Sequence, residues 1–323
     1  MGWLVEHGIA ETRALLIEGD RVVAARLHWP GDVVPGPARA RLIRRSGGAK
    51  RGIARTSDGL EINVSGLPKD ASEGREIAIA ITRAPIAEQG RYKRAQGTYQ
   101  GSEAHIVAPD TRNDPFDLPD AKVVPRFGAG AWEDVWSDAW EAEIGFAGGS
   151  ILVTPTPAMT VIDIDGDLPP SELAMAAVPS VASTLRRLDL GGSVAIDFPT
   201  LAEKTQRGAV DHALAEALGD WPHERTAMNG FGIVHLVARL EGPSILHRLH
   251  FHRTAAAARM LLRRGEGAEG IGPRLLLRAH PAVADRLEDD WLVELARRSG
   301  REVVVERDAS LAIAGGHAQV LAS

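Results

Sequence analysis

Two β-branched runs that each end in an aspartate govern how the second half of this chain can fold. "TVIDIDGD" spans residues 160–167 and "SVAIDF" spans residues 193–198, so Asp163 and Asp197 stand 34 positions apart. That interval holds a strand, a crossover helix and a neighbouring strand. The helix signal lies between them, where "PPSELAMAAVPSVASTLRRLDLGG" closes on a glycine pair suited to a helix C-terminus. The alternation then continues. "TQRGAVDHALAEALGD", "HRTAAAARMLLRRGEG" and "PAVADRLEDDWLVELARRSG" read as helices, and "SILVTPTPAMTVIDID", "GFGIVHLVARL", "PRLLLRAH" and "REVVVERD" read as strands. Strands and helices in turn predict a mixed α/β half over residues 131–323. At its start Trp132, Trp136 and Trp140 recur every fourth residue and share one helix face, the spacing of core packing.

Acidic residues are poor strand formers, so their place at strand ends needs a reason. On adjacent strands, Asp163 and Asp197 would meet at the edge where open α/β sheets bind ligands. Two close carboxylates repel unless a proton or a cation joins them. Oxygen-only ligands favour Mg²⁺, with Mn²⁺ as an alternative, and such a cation keeps most of its waters and meets a substrate phosphate. Asp165 lies two residues beyond Asp163 and shares its face. Asp167 follows Gly166 and reads as a turn residue. The competing reading is of acids that merely end strands. "VIDIDGD" also matches the Asp-x-Asp-Gly opening of haloacid-dehalogenase-type phosphatases, with Asp163 as nucleophile and Asp165 as acid. That scheme needs a downstream lysine and a Gly-Asp-x-x-x-Asp after a strand. This chain offers Lys204 near a helix start and Gly219-Asp220 after a helix. Another cluster, His247, His250 and His252 in "HRLHFH", has spacing that suits zinc on one face. No cysteine or carboxylate nearby completes it, and it reads as a surface or RNA-facing cluster.

The first half is rich in strand signals. "TRALLIE" and "RVVAARLH" turn at Gly19-Asp20, giving a β hairpin within residues 1–30 that is expected to pack on the α/β half. "PGDVVPGPAR" marks a loop. The short candidates "ARARLIRR", "GIARTS", "LEINVSG" and "REIAIAITRAP" then predict a small sandwich or barrel over residues 31–95. Within it stand Arg39, Arg41, Arg44, Arg45, Lys50, Arg51 and Arg55, with no acid between Ala38 and Arg55. Such a stripe can follow a phosphate backbone, or it can be a solvated face. Aromatic platforms for bases are sparse here, limited before residue 100 to Trp3, Trp29, Tyr92 and Tyr99. Residues 96–130 are polar and proline-rich and read as an irregular connection.

Composition sets outer limits. With 323 residues, 44% of them hydrophobic and 25% charged, the chain fits a soluble globular protein of two or three domains. The absence of cysteine excludes disulfides and thiolate zinc sites. The N-terminal residues break every apolar run with a charged or polar group, so neither a signal peptide nor a membrane span is read there. A cytoplasmic location without a membrane partner is expected. The net charge of −6 argues against an indiscriminate nucleic-acid binder, but distribution matters more than the sum. Five lysines leave arginine to supply almost all the 37 basic residues. Arginine forks grip phosphates, although a GC-rich coding sequence gives the same bias.

"ILVTPTPAMTVIDIDGD", "LRRLDLGGSVAIDF" and "GFGIVHLVAR…GPSI" together resemble the catalytic region of the ribonuclease E/G family. There a strand of type Thr-x-Ala-hydrophobic-Thr leads into Ile-Asp-hydrophobic-Asn. A helix ending Leu-Arg-x-hydrophobic-Gly-Gly then leads into Ile-Asp-Phe. "VEHGIAETRALLIEGDRVVAARL" is similar to the family's opening strands, and the likeness is tightest from Ser150 to Ile245. The resemblance implies an α/β fold in which an N-terminal β-rich, OB-fold-like RNA-binding module precedes a DNase I-like catalytic half. It gives Asp163 and Asp197 the metal-ligand role, with Asp165 assisting. The implied reaction is Mg²⁺-dependent hydrolysis of single-stranded RNA to 5′-phosphate and 3′-hydroxyl ends, the basic stripe holding the strand. A non-catalytic RNA-binding relative is the alternative. The departures are specific. Asp165 stands where the family has an asparagine that orients the first aspartate, and Pro199 where an aspartate follows Ile-Asp-Phe. Without cysteine the family's Cys-Pro-x-Cys zinc link cannot form, so a monomer or dimer is expected instead of a zinc-linked tetramer. The stretch between the β module and Asp163 is too short for the family's full 5′-phosphate-sensing segment and shows no Arg-Thr pair. After "GFGIVHL" the family's basic residues are thinned to Arg239.

Overall fold

The computed structural model describes residues 2–47, 49–101, 115, 116, 118 and 120–322. The opening segment forms three strands where a hairpin was expected: β1 (Gly2–Gly8), β2 (Glu11–Glu18) and β3 (Arg21–His28), an antiparallel meander. It packs on the second half through charged contacts, for example Arg26 with Asp189 at 3.0 Å. Arg259 Nε also donates to the Ala10 carbonyl at 2.9 Å.

The basic β module is a closed barrel. Its strands are β4 (Gly36–Arg45), β5 (Arg51–Arg55), β6 (Glu61–Ser65) and β7 (Glu76–Arg83). A small hairpin, β8 (Ile86–Glu88) and β9 (Arg91–Lys93), precedes the closing strand β10 (Ala95–Gly101). The order around the barrel is β10-β6-β5-β4-β7, consistent with an OB-like module. Alternation explains the fold: Ala40, Leu42, Ile62, Val64, Ile77, Ile79 and Ile81 point inward and form a core of their own. The barrel therefore runs to Gly101, past the expected boundary at 95, and the first residues of the expected irregular connection are its last strand. "QGTYQG" has little apolar alternation. It becomes a strand because β6 and β7 each offer it an edge, one parallel and one antiparallel. Of the rest of that connection, residues 102–114, 117 and 119 lie outside the described residues. Lys122–Val123 forms β11, parallel to β1.

The second half opens with α1 (Ala131–Glu141), which buries Trp132, Trp136 and Trp140 on one face, the last two stacked at 4.7 Å. Then follow β12 (Glu143–Phe146), β13 (Gly149–Pro155), β14 (Thr160–Gly166), α2 (Pro170–Arg187), β15 (Gly192–Asp197), α3 (Lys204–Leu218), β16 (His223–Arg225) and β17 (Ile233–Ala238). These strands make one sheet in the order β12-β13-β14-β15-β17-β16. The run "SILVTPTPAMTVIDID", expected as strand, folds back on itself as β13 and β14. Helices α4 (Ile245–Phe251) and α5 (Arg253–Glu266) lead to β18 (Arg274–Ala279), α6 (Pro281–Ala284), α7 (Asp289–Ser299), β19 (Glu302–Arg307) and β20 (His317–Leu321). The last three strands form a small sheet ordered β19-β18-β20. The single helix expected from Pro281 is two. Glu288 is extended, and Asp289 and Asp290 start a new first turn, where negative charge suits the helix dipole. Among the described residues no helix is long and apolar enough to cross a membrane.

Candidate active site

Period-two alternation along β14, β15 and β17 decides which side chains leave the core. Ile162, Ile164, Val194, Ile196, Val234 and Leu236 are buried. The residues between them face the opposite side, where Asp163 and Asp165 are exposed and Asp197, Ser193 and His235 are half-buried. Exposed Leu152 and Val237 carry the same alternate parity on β13 and β17.

On that face the two aspartates meet. β14 and β15 run parallel, and Asp163, midway along β14, is the direct Cα partner of Asp197, the last residue of β15. Burial first, and then the charge of Asp163, push the Asp197 carboxyl above its ordinary value. The donor set therefore fits a hard divalent cation: two carboxylates from rigid strands, facing water on one side, whose repulsion a cation relieves. The geometry meets the requirement set by the spacing, with a crossover helix, α2, between two neighbouring strands.

Asp165 shares the face but sits one step along. Its Oδ1 accepts from the Gly166 amide at 2.9 Å, and its strand partner is Ser150. Among the described residues no group of three or more His, Asp or Glu side chains is gathered as a metal site, so Asp165 is not drawn into a triad with Asp163 and Asp197. Asp167 lies beyond the strand, its amide bonded to the Gly148 carbonyl at 3.3 Å. The two features needed for a phosphatase scheme fall on α3: Lys204 is its first residue and Gly219 its C-cap.

The sequence pattern did not single out Ser193 and His235. Ser193 Oγ lies 2.6 Å from His235 Nε2. His235 pairs with Ala195, two residues along β15 from Asp197. The signal was present in "GIVHLVA", whose alternation turns His235 away from Val234 and Leu236, but the register with β15 was needed to bring it to Ser193. The three histidines of "HRLHFH" form no metal cluster. His247 is pushed down to about 4 by burial first and by the Lys93 charge second, and its Nδ1 lies 2.6 Å from Ser244 Oγ. His250 and His252 are exposed.

The basic stripe lies on β4, β5 and the turn between them. A bulge after Leu42 leaves Ile43 and Arg44 both exposed. Gly52 permits the close approach there, because a Cβ would sit 2.5 Å from the Arg44 carbonyl oxygen. Arg39, Arg41, Arg44, Lys50, Arg51 and Arg55 are exposed. Arg45 donates to the carbonyls of Lys69 and Ala71, both at 2.8 Å. Arg55 pairs with Glu61 at 2.7 Å. Arg41 faces Arg55 directly across the strands, a like-charge pair that costs stability. The β8–β9 hairpin presents exposed Tyr92 and ties the barrel to the loop before β14, since Arg91 Nη2 donates to the Pro157 carbonyl at 2.9 Å.

Residues 132–238, which carry both aspartates, match the model of the Ribonuclease E/G family. Ribonuclease G of Escherichia coli (strain K12) is 28% identical over 190 residues, which is 50% of this chain and 38% of that protein. Ribonuclease G of Shigella flexneri gives the same values. The match thus spans well under half the length of these curated relatives.

Proposed function

From the premise that this chain is a member of the ribonuclease E/G family, matched over residues 132–238, we propose that it is a metal-dependent endoribonuclease acting on single-stranded RNA. The observation that carries the proposal is the in-register pairing of Asp163 and Asp197 on parallel strands. In this reading the six-stranded sheet with α2 and α3 is the family's DNase I-like catalytic unit. Asp163 and Asp197 would hold Mg²⁺, or Mn²⁺ in its place. The bound cation would supply charge neutralisation at the scissile phosphate and an activated water, giving 5′-phosphate and 3′-hydroxyl ends. Asp165 adds negative charge beside the pair, and its Oδ1 accepts from the Gly166 amide. Ser193 holds the imidazole of His235 on the same face, opposite Ala195 and two residues along β15 from Asp197, where it offers a polar group to the bound strand. The barrel supplies the grip: exposed Arg41 and Arg44 on its first strand, Lys50 on the adjoining turn and Arg51 on its second strand offer cations to a phosphate backbone. A cytoplasmic monomer or dimer is the matching cellular form.

The test is cleavage of end-labelled single-stranded RNA with and without Mg²⁺. Asp163→Asn and Asp197→Asn are expected to lower the rate by roughly 100-fold or more each, the scale on which single charge-stabilising groups act, while RNA still binds in low salt. An uncut substrate, or a double variant as active as wild type, overturns the proposal. The second reading, a non-catalytic RNA-binding relative, is favoured by Pro199 and by a site of two carboxylates without a third ligand among the described residues. It predicts salt-sensitive binding with no Asp163-dependent turnover.

A further inference from the structure

Phe231 is 79% exposed. A phenyl ring left in water forgoes the burial that most aromatic side chains find, yet the backbone around it is closely specified. The Asn229 Oδ1 accepts from the amides of Phe231 at 2.9 Å and Ile233 at 3.1 Å. The Asn229 amide donates to the Ile233 carbonyl at 3.0 Å, and the Gly232 amide to the Asn229 carbonyl at 3.3 Å. Gly232 has φ +92°, and a Cβ there would lie 2.3 Å from the Phe198 carbonyl oxygen. The Phe198 amide in turn donates to the Gly232 carbonyl at 3.2 Å. The turn carrying Phe231 is therefore clamped to the residue that follows Asp197. Ile233, two residues on, is the direct partner of Asp197, which is the partner of Asp163. Phe198, 2% exposed, already fills the core at this edge, so folding does not require a second ring. The arrangement holds one flat, uncharged, apolar group in solvent beside the carboxylate pair.

Resting on the ribonuclease reading, we propose that Phe231 is a base-stacking platform that seats an unpaired base of the RNA next to the phosphate to be cut. A phenyl face selects no particular base, since every base has a π-face. It does select single strands, because bases in a duplex already stack on one another. The basic barrel then grips the phosphates while Phe231 fixes the register of one nucleotide at the carboxylates.

The experiment uses the full chain in EDTA with short oligoribonucleotides that carry 2-aminopurine at each position in turn. One position is expected to lose fluorescence on binding, and the loss is expected to vanish in Phe231→Ala and persist in Phe231→Trp. The affinity of Phe231→Ala is expected to fall about 5- to 150-fold, the range for one stacked base. Replacing that nucleotide by an abasic one is expected to bring wild type and Phe231→Ala to the same affinity. Equal quenching at every position in wild type and Phe231→Ala, or equal affinity for the intact RNA, overturns the inference. Circular dichroism checks that the variants fold. If wild type never cuts RNA with Mg²⁺ present, the nuclease reading fails, and the quenching still decides the role of Phe231.

Discussion

Asp197 is placed where its charge costs the fold something. Burial and the neighbouring Asp163 both favour its neutral form, so the folded state holds the proton more tightly than the unfolded chain does. Above the raised folded value the ionised carboxylate subtracts from stability, and below the ordinary carboxylate value of about 4 the penalty is gone. Asp197→Asn is therefore expected to raise the melting temperature at pH 7 in EDTA, with the difference fading as pH falls through 4. Mg²⁺ should then raise the melting temperature of wild type and not of Asp197→Asn. Thermal melts across pH measure both effects, and a variant less stable than wild type at pH 7 would refute the account. At this scale the aspartates were legible, because an acid at the end of a β-branched run breaks strand propensity and so marks itself. Ser193, His235 and Phe231 were not, because each matters only through a neighbour supplied by another strand, and alternation alone does not set inter-strand register.

Helices and strands of the second half declared themselves by period, and the exceptions have definite causes. β12, β16 and β20 are short and partly exposed, and β10 is polar, so each owes its form to an edge offered by a longer partner. The opening strands hide a different feature. Glu6, Glu11 and Arg13 interrupt the apolar pattern, which suggests exposure, yet all three are buried. Arg13 pairs with Glu6 and Glu11, each at 3.1 Å. Arg263 of α5 pairs with Glu6 and reaches Glu133 of α1 at 2.9 Å. The Glu6 carboxylate also accepts from the Phe127 amide at 2.7 Å. Nothing local reveals this network, since Arg263 lies 257 positions from Glu6. It fastens the N-terminal meander to α1 and α5. Truncating one partner leaves an uncompensated buried charge, so Arg263→Ala is expected to cost about 3–5 kcal/mol. Urea unfolding measures it, and a loss below about 1 kcal/mol, the scale of an exposed pair, would show the network to be dispensable.

Across the whole molecule a net charge of −6 coexists with a basic barrel, and it is the placement of charge that bears on RNA. Four of the five barrel strands and the run of arginines were readable from sequence, while the closing strand β10 was not. Which arginines are committed to the fold was not, because that depends on acids and carbonyls brought in by other strands and loops. Arg45 is spent on the Lys69 and Ala71 carbonyls, and Arg55 and Arg94 share Glu61. Arg41, Arg44, Lys50 and Arg51 have no ion pair among the described residues and remain exposed. If these four meet phosphates, RNA affinity must fall with salt through counterion release, by about 0.7 in the logarithmic slope per contact on a single strand. Removing three of them, as Arg41→Ala with Arg44→Ala and Arg51→Ala, is expected to flatten the slope by roughly 2. Asp163→Asn with Asp197→Asn should leave it unchanged when measured in NaCl with EDTA. Binding titrations over a tenfold range of salt read the slope directly. A triple variant with the wild-type slope would place the RNA elsewhere on the molecule, and the acidic sum of the chain would then describe its surface better than the barrel does.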